Sequence, residues 1–264
     1  MPNTPPTDTI PFDDTAFEYL FELYHKNLPP LLSDAMLAPK STTTQSSAST
    51  KEYRRGERVP LASPETSALS AAIAQRASYT DATERRPITD SELATLLTYA
   101  YGPIRDATGD TPAGDSRRPV ASAGACYPLE LYPIVLDSPD IESGIYHYAG
   151  HEDALQQLNA GDYSEWLREH WTWITDEAVV AAIVITARLG HSADRYGEMA
   201  YLFAAIEAGA VIQTLQLLAT ELGIGSRPHN GLDYPGINEQ LRLPSDEYLL
   251  STVVFAGRPP GDSG

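Results

Sequence analysis

Three stretches of this chain carry residue types that could do chemistry together. In "QRASYT", Arg76 and Ser78 put a charge-assisted donor and a hydroxyl within one helical turn, a pairing suited to a phosphate or to the polyol of a cofactor. A solvated helix end explains the same residues. In "PVASAGACYPLELY", Ser122, Ala123 and Gly124 bring almost no side-chain bulk, so a flat ligand can lie against the backbone there. The alternative is a tightly packed turn. In "LGIGSRPHNGLDYPG", Pro228 stiffens a loop whose N–H groups around Asn230 and Gly231 can donate to a ring nitrogen or carbonyl oxygen of a heterocycle. A helix C-cap at Gly223 followed by turns uses the same punctuation, and His229 by itself reads as a loop residue. The six histidines show no metal-ligand spacing, and neither a nucleophile elbow nor a phosphate-binding P-loop occurs, so no metal site is expected.

These stretches need elements to position them. "SPETSALSAAIAQRAS" predicts a helix with Ser63 at its cap and Pro64 in its first turn, with "QRASYT" at its end. "TDSELATLLTYAYG" predicts another, with Thr89 and Glu92 in capping-box spacing and Gly102 at its end. A long loop from Pro103 to Ala125 leads into strand-like "LELYPIVL", where Pro133 requires a bulge or an edge because it cannot donate to a ladder. "DSPDIES" turns that strand into "GIYHYAG". "AVVAAIVITAR" has the β-branched character of a central strand buried on both faces, and "YLLSTVVFAG" supplies a further strand. Between them, the segment from Tyr196 to Gly223 predicts one long helix, apolar on nearly every face, to be covered by the sheet on one side and a second subunit on the other. The order lacks regular βαβ alternation and no G-x-G-x-x-G opens a helix, which favours an α+β domain over a dinucleotide-binding fold.

Ahead of this domain, residues 1–55 read as an amphipathic helix carrying Phe17, Leu20, Phe21 and Tyr24, followed by a flexible Ser/Thr-rich linker; residues 56–264 form the main domain. Eighteen basic against 36 acidic residues give a net charge of −18, which repels nucleic acid and anionic membrane. Only three of the basic residues are lysines, a pattern shared with halophilic proteins. The single cysteine, Cys126, excludes an internal disulfide, and no signal pattern opens the chain, so a soluble cytoplasmic protein is expected.

Taken in order, these segments resemble the nitroreductase-like flavoproteins, and among them the SagB-type dehydrogenases associated with azoline oxidation in modified peptides. "ASAGACYPLELY" is similar to that group's Pro-Ser-Ala-Gly-Ala-x-Tyr-Pro-Leu-Glu-Leu-Tyr signature, "GIYHY" follows at the group's distance, and "RYGEMAYLFAAIEAGAVIQTLQLLATELGIGS" matches its helix segment. The resemblance covers about Gly56 to Pro259, and "LYHKN" is similar to the group's start. It implies a central, mostly antiparallel sheet flanked by helices, with the long helix at a homodimer interface that binds one FMN per subunit. By the same resemblance, Arg76 and Ser78 contact the phosphate and ribityl chain, and Arg258 is a late phosphate contact. Ser122, Ala123 and Gly124 bracket the ring, and Pro228, His229, Asn230 and Gly231 face the N5 edge.

Three departures stand out. Thr80 occupies the place of a Lys or Arg directed at the flavin, and Ala121 that of the signature proline. The Lys-Tyr pair of the azoline dehydrogenases is matched by Arg195-Tyr196, in which only Tyr196 can readily exchange a proton. Three functions therefore remain open. One is oxidation of a thiazoline or oxazoline in a peptide, with hydride passing to flavin N5 and a cyclodehydratase as partner. The second is an NAD(P)H-dependent reductase of nitro compounds or quinones, and the third a flavin-binding structural subunit without catalysis.

Overall fold

The computed structural model describes residues 19–25, 58–79, 85–104, 117–171 and 178–257. The sequence expectations for Thr80, Arg258, Phe17 and the Ser/Thr-rich linker thus lie outside the described residues. Six strands build one sheet: β1 (Leu129–Val135), β2 (Gly144–Ala149), β3 (Ala154–Ala160), β4 (Val179–Arg188), β5 (Gly225–His229) and β6 (Glu247–Ala256). Their spatial order is β3-β2-β1-β4-β6-β5, and every neighbouring pair is antiparallel. β4 sits centrally and is buried along its length except at Arg188, as its β-branched run requires. Pro133 faces Ile183 within the β1–β4 ladder of an interior strand, at neither a sheet edge nor a bulge of that pairing, and is accommodated one residue before β1 begins to pair with β2 at Ile134.

Helices cover both faces. They are α1 (20–25), α2 (Ala68–Gln75), α3 (Asp90–Tyr101), α4 (Ser164–His170), α5 (Gly190–Tyr196), α6 (Met199–Glu221) and α7 (Tyr234–Leu241). α3 and α6 pack on one face, where Leu93, Leu97, Ala204 and Val211 meet Leu131, Ile183 and Phe255. α4 and α7 cover the other, where Leu167, Trp171 and Ile237 meet Ile134, Val184 and Val254. α3 begins as predicted: Thr89 accepts from the Glu92 N–H while Glu92 reaches back to the Thr89 N–H, and Gly102 closes the helix.

Other expectations require correction. α2 starts at Ala68 behind Ser67, because the Ser67 and Ser70 hydroxyls cap each other's backbone N–H; Ser63 and Pro64 precede the helix. The long helical segment is broken at Gly197, whose φ of 54° and ψ of −134° separate α5 from α6. β5 forms in a stretch that reads as a loop, and Pro228 is tolerated there because β5 is an outer strand of the sheet. β3, α4 and α7 carry no periodicity strong enough to announce them. By length and apolarity α6 alone among the described helices could span a membrane, but its Ala200, Ala204, Ala208, Val211, Leu215 and Ala219 pack into the core. Coverage on every face is not reached within one chain: Leu202 is 50% exposed and Ile206 62%.

Candidate active site

The small-residue loop is a strained turn. Ala123–Ala125 make a single 3-10 turn, and Gly124, Ala125 and Tyr127 have φ of 57°, 53° and 46°. Left-handed φ at two non-glycine residues within three positions costs free energy that the surroundings must supply. They do so through hydrogen bonds at both ends of the loop. The Tyr127 N–H donates to Ser122 Oγ at 2.9 Å, and the Leu129 N–H donates to Tyr101 Oη at 2.9 Å. Tyr101 Oη in turn donates to Glu207 Oε1 at 2.7 Å, and the Ser122 hydroxyl beside Glu207 favours the ionised carboxylate. The Arg118 guanidinium lies 4.2 Å from the Tyr101 ring centre and its Nη1 donates to the Tyr101 carbonyl at 2.8 Å, while the Arg118 N–H donates to Tyr127 Oη at 3.2 Å. Burial pushes the Glu207 carboxyl above the usual carboxylate range, against the pull of Ser122, Tyr101 and Arg118. Burial beside Glu207 likewise raises the Tyr101 phenol.

Arg195 and Tyr196, at the end of α5, meet this loop. Arg195 Nη1 donates to the Gly124 carbonyl at 3.1 Å. A Cβ on Gly124 would collide with Tyr196 Oη and stand 2.8 Å from Arg195 Nη1. Gly124 is therefore required both for its left-handed backbone and for the room it leaves to this pair, in addition to any ligand it faces. Phe203 fixes the Tyr196 ring edge-on, with centroids 5.3 Å apart. The structure thus unites Ser122, Ala123 and Gly124 with Arg195 and Tyr196.

The remaining sequence candidates assemble along β5. Ser78 forms a parallel bridge to Ser226, the Tyr79 N–H donates to the Ser226 carbonyl at 3.3 Å, and Gln216 Nε2 donates to Ser78 Oγ at 3.4 Å. Arg76 caps the end of α2, two residues before the bridge. Arg227 follows Ser226, with its guanidinium 5.3 Å from the Tyr79 ring centre and a buried Nε that finds no acceptor among the described residues. Pro228 and His229 complete β5; His229 Nε2 contacts the Gly231 carbonyl at 3.2 Å, and Asn230 Oδ1 accepts from Ser251 Oγ at 2.6 Å. Gly231 is buried, and the hydrogen bond to Ser251 leaves the Asn230 amide nitrogen directed elsewhere. The two groups meet α6 at Glu207 and Gln216, nine residues and hence about 14 Å apart along the helix axis.

Tyr101, Arg118, Glu207 and Arg227 escape sequence reasoning. One of them leaves a signal: Glu207 is the only charged residue in α6 before Glu221, and a lone carboxylate in an apolar helix must be partnered. A third feature borders the site. The Leu20 and Phe21 N–H groups donate to the Glu198 carboxylate, at 2.8 and 3.3 Å, and so seat α1 on the start of α6. Phe21, His25, Tyr201, Tyr234 and Tyr248 pack together beneath it, His25 Nδ1 lies 3.0 Å from Tyr201 Oη, and burial lowers the His25 pKa to about 4.

The nitroreductase family model matches residues 73–258. A Methanocaldococcus jannaschii protein, provisionally named a nitroreductase, is 30% identical over 181 residues, which make up 63% of this chain and 81% of that one. A solved structure from Ralstonia eutropha, provisionally described as a nitroreductase, is similar with a TM-score of 0.58 at 19% identity, over 76% of this chain and 89% of its own. A chain of the E. coli microcin synthetase McbBCD complex with truncated pro-MccB17 bound is similar with a TM-score of 0.60 at 17% identity, over 92% of this chain and 98% of its own.

Proposed function

Since this chain belongs to the nitroreductase family of oxidoreductases, we propose that it binds FMN and serves as a SagB-type dehydrogenase, oxidising a thiazoline or oxazoline in a modified peptide. The observation that carries this reading is the meeting of the small-residue loop with Arg195 and Tyr196 at Gly124. That contact sets a proton-carrying phenol against the surface where a flat ring would lie. The microcin synthetase chain supports it, since the similarity extends over nearly its whole length, beyond the span of the family model, and it comes from a complex that binds a peptide.

The residues present fit the cofactor. Arg76, two residues before Ser78, and Arg227, next to Ser226 and with a buried Nε that finds no acceptor among the described residues, are cations of the kind a phosphate would need near the Ser78–Ser226 bridge. Ser122, Ala123 and Gly124 offer backbone without bulk to the ring, and the backbone and amide of Asn230 and Gly231 offer donors to its polar edge. FMN bound there supplies the two-electron acceptor. Tyr196 Oη would take up the proton that the substrate loses as its hydride is removed and pass it on to solvent, while Arg195, fixed to the Gly124 carbonyl and 5.5 Å from the Tyr196 ring centre, would orient it.

The two groups lie far apart along α6, and Leu202, Ile206 and Met199 on α6 are exposed, as are Leu69 and Ile73 on α2. We read this as half of two composite sites completed in a homodimer. A second reading, an NAD(P)H-dependent nitro or quinone reductase, draws on one observation: Arg195 stands where the dehydrogenase pair has Lys, and a reductase needs no such base.

The test begins with the absorption spectrum of the purified protein and identification of the compound released on denaturation. FMN near one per chain, with turnover of thiazoline peptides that needs no NAD(P)H, supports the dehydrogenase. Turnover of nitroaromatics or quinones with NAD(P)H alone supports the reductase. A colourless protein that does not take up FMN removes both.

A further inference from the structure

Glu207 takes no part in the chemistry proposed above, yet it is 3% exposed in a 23-residue helix that has no other charged residue before Glu221. A buried carboxylate persists only where its partners repay its lost hydration. We propose that Glu207 is a positioning residue that holds the 122–129 loop in its left-handed turn, and that the charge on its carboxyl sets how firmly the loop grips its ligand.

Donor counting carries the argument. Ser122 Oγ and Tyr101 Oη each accept a backbone N–H, from Tyr127 and Leu129, at 2.9 Å. Each hydroxyl has one proton; that of Tyr101 goes to Glu207 Oε1 at 2.7 Å, and Ser122 is a second hydroxyl beside the carboxylate that favours its ionised form. A carboxylate suits both hydroxyls. A neutral carboxyl, or the amide of Gln, brings a hydrogen of its own into the cluster and turns one hydroxyl away from its place. The loop between Tyr127 and Leu129 then loses one of its two anchors, while the strain at Gly124, Ala125 and Tyr127 remains. The titratable and charged groups facing Glu207 are Tyr101 from α3 and Arg118 from the loop, with Tyr127 against the far edge of Tyr101. Burial beside Glu207 raises the Tyr101 phenol above its ordinary value, so the switchable charge facing the loop is that of Glu207.

The signs differ in a way that a packing role would not reproduce. Burial raises the Glu207 pKa in the folded chain, so its contribution to overall stability is full below the usual carboxylate range and is lost as pH rises through the raised value. The loop's anchors, in contrast, are complete only once the carboxyl is ionised. Rising pH therefore loosens the whole and tightens the loop.

This inference rests on the FMN reading for its ligand but not for its test. Amide hydrogen exchange at Tyr127 and Leu129 is measured in flavin-free wild-type protein and Glu207→Gln across pH 5 to 8, alongside FMN titration. The expected result is wild-type protection that grows with pH after correction for intrinsic exchange, and a pH-independent loss of about tenfold in Glu207→Gln, with FMN affinity weaker by a similar factor. Should Glu207→Gln fail to fold, Ser122→Ala is expected to lose protection at Tyr127 while keeping it at Leu129. Equal, pH-independent protection in wild type and variant overturns the inference even if both bind FMN. Unequal protection in a protein that binds no FMN leaves the positioning role standing and removes the FMN reading instead.

Discussion

The loop at 117–129 and the corner made by α2 and β5 supply the two halves of the candidate site, and they are built in opposite ways. The loop is strained and overdetermined: two hydroxyls, a buried carboxylate and a stacked guanidinium fix it from within the same chain. The corner is relaxed and thinly held, since no residue of α2 is buried and Ser78 is joined by one bridge and one long hydrogen bond. Under the proposed function, chemistry that depends on orientation falls to the rigid half and binding of an anion, which tolerates adjustment, to the loose half.

If that division holds, the largest effect follows from Tyr196→Phe, which removes a proton donor without moving the loop. Turnover should fall by about 10²- to 10⁴-fold with FMN content unchanged, measured by steady-state assay and absorbance. Gly124→Val comes next: a branched residue at φ 57° pushes Arg195 and Tyr196 aside, and FMN affinity should drop by about a hundredfold, read by fluorescence titration. Wild-type affinity in that variant would break the comparison, because the loop would then not be rigid. On the loose side, Arg76→Ala should weaken FMN by about tenfold through one lost charge-assisted contact while Tm stays within a degree or two. A large fall in Tm would show that α2 is better anchored than its exposure indicates.

The smallest effect on activity is expected from the α1 seat. His25 titrates at about 4 when seated and at its ordinary 6.5 when released, so the seat is at full strength above pH 6.5 and weakens by up to about tenfold per pH unit as pH falls toward 4. Hydrogen exchange confined to residues 19–25 should report this, and His25→Phe should flatten the dependence.

The contrast also explains what the sequence makes legible. α3 is readable because Thr89, Glu92 and Gly102 settle their hydrogen bonds within a few residues, and β4 because it is an uncharged apolar run, rich in β-branched residues, up to Arg188. The α2–β5 corner is half readable: Arg76 and Ser78 lie two residues apart in the chain, but Arg227 joins them only through a bridge between distant segments. The role of Glu207 depends on Tyr101, 106 residues away, and that of Arg195 on Gly124, 71 residues away. No local pattern records such separations. β3, with the uncharged sequence ALQQLNA, has neither alternation nor branching, so only its pairing with β2 defines it.

Because β1, β2 and β3 are consecutive in the chain and adjacent in the sheet, this meander closes with short loops and should form early in folding. β4 must then cross back to β1 over a separation that encloses β2, β3 and α4, and β6 to β4 over one that encloses α5, α6, β5 and α7. Pulse-labelled exchange during refolding should protect residues 129–160 before β6, and the amide of Tyr127 with the last phase. The residues that Glu207 and Arg195 restrain are therefore committed only after the hydrophobic layers have closed, which makes acquisition of a reactive site a late event in the life of each new chain.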